Sequence, residues 1–164
     1  LVTINQPQLV KVANLLKEEW QKVGITVEVN AVTITDLKPI IKDRSYDALL
    51  YGETLGMLPD LYPFWYSSQK QDPGLNLSVY ENKDADKLLK DARETSDLSQ
   101  KQEQYEKLQD TILTDAPALF LYNPNYLYWV STDIQGMNTV RIADPAKRFV
   151  DVTDWFIETK RVWK

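Results

Sequence analysis

Apolar positions recur along this chain with two periods, and the switches between them mark out the elements. Leu1 to Asn5 reads as a strand, and Pro7 follows where a helix can begin, because its missing N–H costs nothing in a first turn. Leu9, Val12, Ala13, Leu16, Trp20 and Val23 then recur at helical spacing, with Lys11, Lys17, Glu18 and Lys22 largely between them. Gly24 supplies the stop, being free to turn left-handed. Ile25 to Val29 alternates with period two and is rich in β-branched residues, the pattern of a half-buried strand. Strand, helix and strand in this order predict a βαβ unit with parallel pairing. A second short helix, with Asp36 as a plausible N-cap, buries Leu37, Ile40 and Ile41 and leads into the strand Ala48 to Tyr51. That strand is nearly uninterrupted apolar, as a central strand covered on both faces would be.

Beyond Gly52 the periodicity lapses until Tyr80. This long segment holds Glu53, Thr54, Asp60, Trp65 and Asn76. A loop at a strand end is the usual place for ligand chemistry in an α/β protein, because the rigid sheet presents hydrated groups there. Helical spacing returns over Asn82 to Thr95, with Ala85, Leu88, Leu89 and Ala92 on one face. Asp97 caps a longer helix from about Ser99 to Thr114, with Tyr105, Leu108, Ile112 and Leu113 facing inward and Pro117 ending it. Ala118 to Tyr122 and Tyr126 to Val130 read as further strands around an Asn-Pro-Asn turn, and Gly136 marks another turn. With no repeat or linker, the pattern predicts a single α/β lobe over residues 1–164, a mixed sheet flanked by helices.

Composition narrows the chemistry. The 164 residues contain no His and no Cys, which removes His-based nucleophile systems, most zinc sites, thiolate chemistry and disulfides. The formal net charge is −5 and no basic run dominates a segment, so nucleic acid is a poor partner. No apolar run is long enough to insert in a membrane. The abrupt start in a strand gives the expectation of a piece of a longer protein, with any targeting segment upstream.

The order of the pieces resembles a known family. Ala13 to Val27, Tyr46-Asp47, Asn76 to Tyr80, Asp86 to Leu89 with Ala92-Arg93, Tyr105 with Gln109, Asp115-Ala116-Pro117 and the close from Arg148 to Trp155 recur in one arrangement. Together they are similar to the C-terminal lobe of the family 5 extracellular solute-binding proteins, the oligopeptide-, dipeptide- and nickel-binding group of ABC importers. The resemblance implies a lobe of the type II periplasmic-binding-protein kind and a missing N-terminal lobe that closes on a ligand. It also implies an ABC permease as partner, and an address in the periplasm or, as a lipoprotein, at the cell surface. No catalysis, cofactor or metal is implied.

In peptide-binding members a carboxylate after the Tyr-Asp strand pairs with the peptide ammonium, a charge-assisted contact of the strong kind. Asp60 best matches that position, while Glu53 stands where many members have Trp, so either acid could serve, or neither. For Asp60 the plain alternative is an N-cap on a helix from Leu61 to Ser67. Trp65 could stack on a ligand or pack beneath the loop. Asn76 has the position of a recurrent family Asn, with loop bracing as its simplest role, and Thr54 stands behind these. The acidic residues Asp84, Asp86, Asp91 and Glu94 are expected on a solvated helix face. Sugars or metal chelates are alternative ligands. A glycoside hydrolase using Glu53 and Asp60 and an aromatic carbohydrate- or protein-binding module are the competing classes.

Overall fold

In the computed structural model, which describes residues 1–55, 60–138 and 145–158, β1 (Val2–Ile4) is the centre of the first sheet. It is followed by α1 (Pro7–Lys22), β2 (Asn30–Val32), α2 (Ile34–Lys42) and β3 (Leu49–Leu50). Both β2 and β3 pair with β1 in parallel, giving the order β2-β1-β3. The predicted parallel βαβ unit is therefore present, with two shifts in detail. The strand expected over Ile25–Val29 lies at Asn30–Val32, because the register sets Asn30 opposite Val2. Residues 25–28 precede that register: the Ile25 N–H donates to the Trp20 carbonyl at 3.0 Å, and the Leu1 amino group donates to the Glu28 carbonyl at 2.9 Å. The apolar strand expected at the sheet centre is instead its edge: Leu50 is buried, but Tyr51 is 44% exposed.

Chain capping follows local chemistry. Thr33, rather than Asp36, is the N-cap of α2, and its hydroxyl accepts from the Asp36 N–H. Leu37 is buried there as its spacing requires. α3 is the single turn Tyr62–Trp65, and α4 (Lys83–Glu94) and α5 (Leu98–Asp115) are the long pair. Asn82 and Asp97 cap them, each side chain accepting from two backbone N–H groups. Ala85 and Leu89 of α4 pack with Leu108 and Ile112 of α5 and with Tyr80, and this is the main core; Ala92 of α4 is buried as well. Leu113, expected to face inward, is 55% exposed, because α5 packs along the narrower line of Leu108 and Ile112. Val23 at the end of α1 is likewise exposed.

The described residues divide into two compact units, one formed by residues 1–52 and 60–119, the other by 53–55, 120–138 and 145–158. The second unit carries β4 (Ile134–Gln135) and β5 (Phe156–Ile157), paired antiparallel. Gly136 follows β4 with φ +81°, and a Cβ there would meet the Asp154 carbonyl at 2.1 Å, so both conformation and space demand glycine. Asp151 accepts from the Asn138 N–H at 2.6 Å and from the Trp155 indole at 3.0 Å. The expected strands Ala118–Tyr122 and Tyr126–Val130 are not formed: these residues make no ladder among the described residues, and an apolar run without a partner strand cannot bury itself. Leu119, Phe120, Leu127 and Trp129 are 61–89% exposed. The chain's basic close, residues 159–164, lies outside the described residues.

Candidate functional site

The candidate loop begins where β3 ends and is built in earnest from Asp60 onward. Asp60 stands one residue ahead of Leu61, which is the N-cap of α3 in place of the cap expected at Asp60, and its Oδ1 accepts from the Tyr62 N–H at 3.1 Å. Its Oδ2 faces Arg93 of α4, accepting from Nε at 3.0 Å and standing 2.7 Å from the second guanidinium nitrogen. The same guanidinium lies over the Tyr62 ring, 4.1 Å from its centroid, and Tyr62 in turn stacks on Tyr66 at 4.1 Å. Asp60 is thus both an acceptor for the first N–H of α3 and half of an ion pair, with its side chain 43% exposed.

Seven residues further along the loop a second tie is made. The Ser67 N–H donates to Asp86 of α4 at 2.8 Å. Asp86, expected on a solvated face, is therefore a loop anchor, because its position on the first turn of α4 points it toward the turn after α3. Trp65 packs edge-on against Tyr80 at 6.2 Å, so the packing role open to it in the sequence is the one it takes.

Asn76 is completely buried. Its amide nitrogen donates to the carbonyls of Tyr66 and Tyr80 at 3.2 and 2.9 Å, and its oxygen accepts from the Tyr80 N–H at 3.0 Å and the Ser78 hydroxyl at 3.2 Å. All four hydrogen bonds of the amide are used, which leaves none for a ligand. The bracing continues from the βαβ unit: Tyr46 donates to the Leu77 carbonyl at 2.6 Å and Arg44 to the Gly74 carbonyl at 2.7 Å. Gly74 is required at that point, since a Cβ would meet the Gln69 carbonyl at 2.2 Å.

Glu53 and Thr54 belong to the other unit and lie in exposed, non-repetitive backbone. Among the described residues Glu53 has no ion-pair partner, and although the residue as a whole is exposed, partial desolvation of its carboxyl raises its pKa from the ordinary value. Of the five candidates, then, Asp60, Trp65 and Asn76 share one unit and form one braced segment, whereas Glu53 and Thr54 stand apart from it. The residues that sequence reasoning missed are Arg93, Asp86 and Tyr62. Their signal was available: Asp86 and Arg93 are seven apart on a helix, hence on one face.

At the far end of the segment, Tyr80 donates to Asp115 at 2.6 Å and Asn82 donates to the same oxygen at 2.7 Å, joining the start of α4 to the end of α5. Burial first and the Asp115 hydrogen bond second push the Tyr80 phenol up, and the bonds from Tyr80 and Asn82 hold Asp115 below the ordinary Asp value. A shallow cleft of about 550 Å³, lined by Lys42, Arg44, Lys70 and Asp72 among others, opens at the end of α2. Its charges are mixed, and Lys70 is already paired with Glu81.

No protein-family model matches the chain. It is, however, 31% identical over 148 residues to the oligopeptide-binding protein AppA of Bacillus subtilis, a match covering 89% of this chain and 26% of AppA. It is 27% identical over 139 residues to the probable D,D-dipeptide-binding periplasmic protein DdpA of Escherichia coli, covering 83% of this chain and 27% of DdpA. The fold matches that of AppA in complex with a nonapeptide, with a TM-score of 0.75, 29% identity, and coverage of 96% of this chain and 31% of AppA. NikZ of Campylobacter jejuni, in complex with Ni(L-His), matches with a TM-score of 0.68 and 25% identity over 94% of this chain and 32% of NikZ. The chain spans about a quarter of the length of the curated relatives it matches.

Proposed function

We propose that this chain, a member of the family 5 solute-binding proteins, forms one wall of a two-lobed protein that captures peptides outside the cytoplasm and delivers them to an ABC importer. The observation that carries this reading is the match to AppA, in sequence over 89% of the chain and in fold against its nonapeptide complex. A match of about a quarter of the relative's length suits a single lobe of a larger protein. On this reading the missing N-terminal lobe supplies the opposite wall, and closure of the two encloses the ligand. The protein works in the periplasm or, as a lipoprotein, on the cell surface.

Within the wall, the two acids take different parts. On this reading Glu53, exposed and without an ion-pair partner among the described residues, accepts from a ligand cation, with Thr54 beside it. Asp60 supports the segment that carries Trp65, and Asn76 fixes that segment from beneath. A hydrolase built on Glu53 and Asp60 loses support, because Asp60 is spent on Arg93 and Tyr62.

The test is a thermal-shift screen of the full-length protein against short peptides, sugars and metal chelates. Peptides are expected to raise the Tm through linkage, by an amount that grows with ligand concentration. Stabilisation by sugars alone would overturn the peptide reading. The match to NikZ favours one second reading, a metal chelate as ligand. A chain with no His or Cys would then hold the metal through its chelator.

A further inference from the structure

The segment from Asp60 to Ser67 is tied to α4 at both ends, and the ties have matching spacing. Asp60 meets Arg93 and the Ser67 N–H meets Asp86. Positions 86 and 93 are two helical turns apart, about 10 Å along the axis. The segment between the ties also spans seven residues and contains the turn α3, so it lies along α4 in antiparallel sense with a matching rise. Arg93 does more than close one end. Its guanidinium covers the Tyr62 ring at 4.1 Å, and Tyr62 stacks on Tyr66, so one cation orders the carboxylate and two rings together. It also places a positive charge 2.7 Å from the Asp60 carboxylate oxygen.

We propose that Arg93 is a positioning and specificity-setting residue: it holds the 60–67 segment in register on α4 and neutralises Asp60, so that Asp60 does not select a ligand by its cationic end. The proposal rests on the reading of this chain as a peptide-binding wall. A carboxylate already receiving two guanidinium contacts and one backbone N–H has little to gain from a ligand ammonium, which would have to displace Arg93 and leave it unpaired. Selectivity for a free amino terminus, where it exists, then comes from another acid, and Glu53 is the candidate without such a partner among the described residues.

The experiment uses the full-length protein with Asp60→Asn, Arg93→Met and the double substitution, and measures calorimetric affinity for trialanine and N-acetyl-trialanine alongside the Tm. Asn keeps an acceptor for the Tyr62 N–H, and Met keeps the stem of Arg93 over the ring. The ratio of the two affinities should be unchanged, within about twofold, in Asp60→Asn. It should rise about tenfold toward the free peptide in Arg93→Met, where the carboxylate is released, and return to its original value in the double variant. Collapse of the ratio in Asp60→Asn alone would overturn the proposal, because Asp60 would then be reading the ammonium despite Arg93. Failure of all forms to bind either peptide would overturn the peptide reading instead, and the Tm values then decide the clamp. A double variant no less stable than the weaker single variant supports it, whereas strictly additive losses reject it.

Discussion

Residues 60–116 and residues 119–130 are both rich in large apolar side chains, yet the structure treats them oppositely. In the first stretch Leu89 and Leu108 are 1% exposed and Asn76 is fully buried, and the loop is pinned at Asp60, Ser67, Asn76 and Tyr80. In the second, Trp129 is 89% exposed and Leu127 73%, and no ladder forms among the described residues. The difference is one of partners rather than of hydrophobicity. An amphipathic helix such as α4 satisfies its own backbone and needs only one neighbour, α5, to cover its stripe. A strand satisfies nothing alone, and its burial waits on another strand.

The sharpest way to test that contrast is to cut into each side. Leu89→Ala should cost about 2–5 kcal/mol in urea-unfolding experiments, as truncation of a fully packed core residue does. Asn76→Ala comes next, at about 1–3 kcal/mol by the same measurement, because it strands the buried Tyr80 N–H and carbonyl without partners.

Acid and alkali probe the α4–α5 junction through one hydrogen bond. Asp115 has its pKa lowered on folding, so its contribution is present above the ordinary value of 3.8 and is lost as pH falls below it through the lowered folded value. The Tyr80 phenol is raised, so stability is kept below its ordinary value of 10.0 and declines as pH rises beyond it. Tyr80→Phe should therefore flatten the pH dependence of Tm at both extremes, while a profile unchanged at either end would remove the Tyr80–Asp115 bond from the account. The smallest effect is expected at Trp129→Ser, within about 0.5 kcal/mol in this chain. The same substitution in the full-length protein should cost several-fold more if a missing lobe covers that surface, and comparison of the two unfolding midpoints settles the matter.

The legible parts of the sequence were those whose structure is local. The periodicity of α1, α4 and α5, the cap Asp97, and the parallel βαβ unit all follow from residues within a few positions of one another or from one short crossover. Strand positions were less legible, because register is decided by the partner: the first sheet begins at Val2, and this alone moved β2 from Ile25 to Asn30. The site was legible as a segment and less so as a set of roles. Glu53, Thr54, Asp60, Trp65 and Asn76 were named from the sequence, but the roles of Asp60 and Asn76 are set by Arg93, Tyr66 and Tyr80, up to 33 residues away. Asp86 looked like one solvent-facing acid among several, and only the position of the Ser67 N–H distinguishes it from Asp84.

One detail at the end of α5 has an evolutionary reading. Ala116 closes that helix in the left-handed region at φ +48°, a conformation that costs a residue with a Cβ about 1–2 kcal/mol and glycine nothing. Glycine gives back about half of that gain through its freer unfolded chain, leaving a net benefit of several tenths of a kcal/mol. Alanine and glycine codons differ by a single base, so this more stable helix end lies one nucleotide away from the sequence as it stands. Where stability already clears the threshold that function needs, such a step changes little and is readily left untaken.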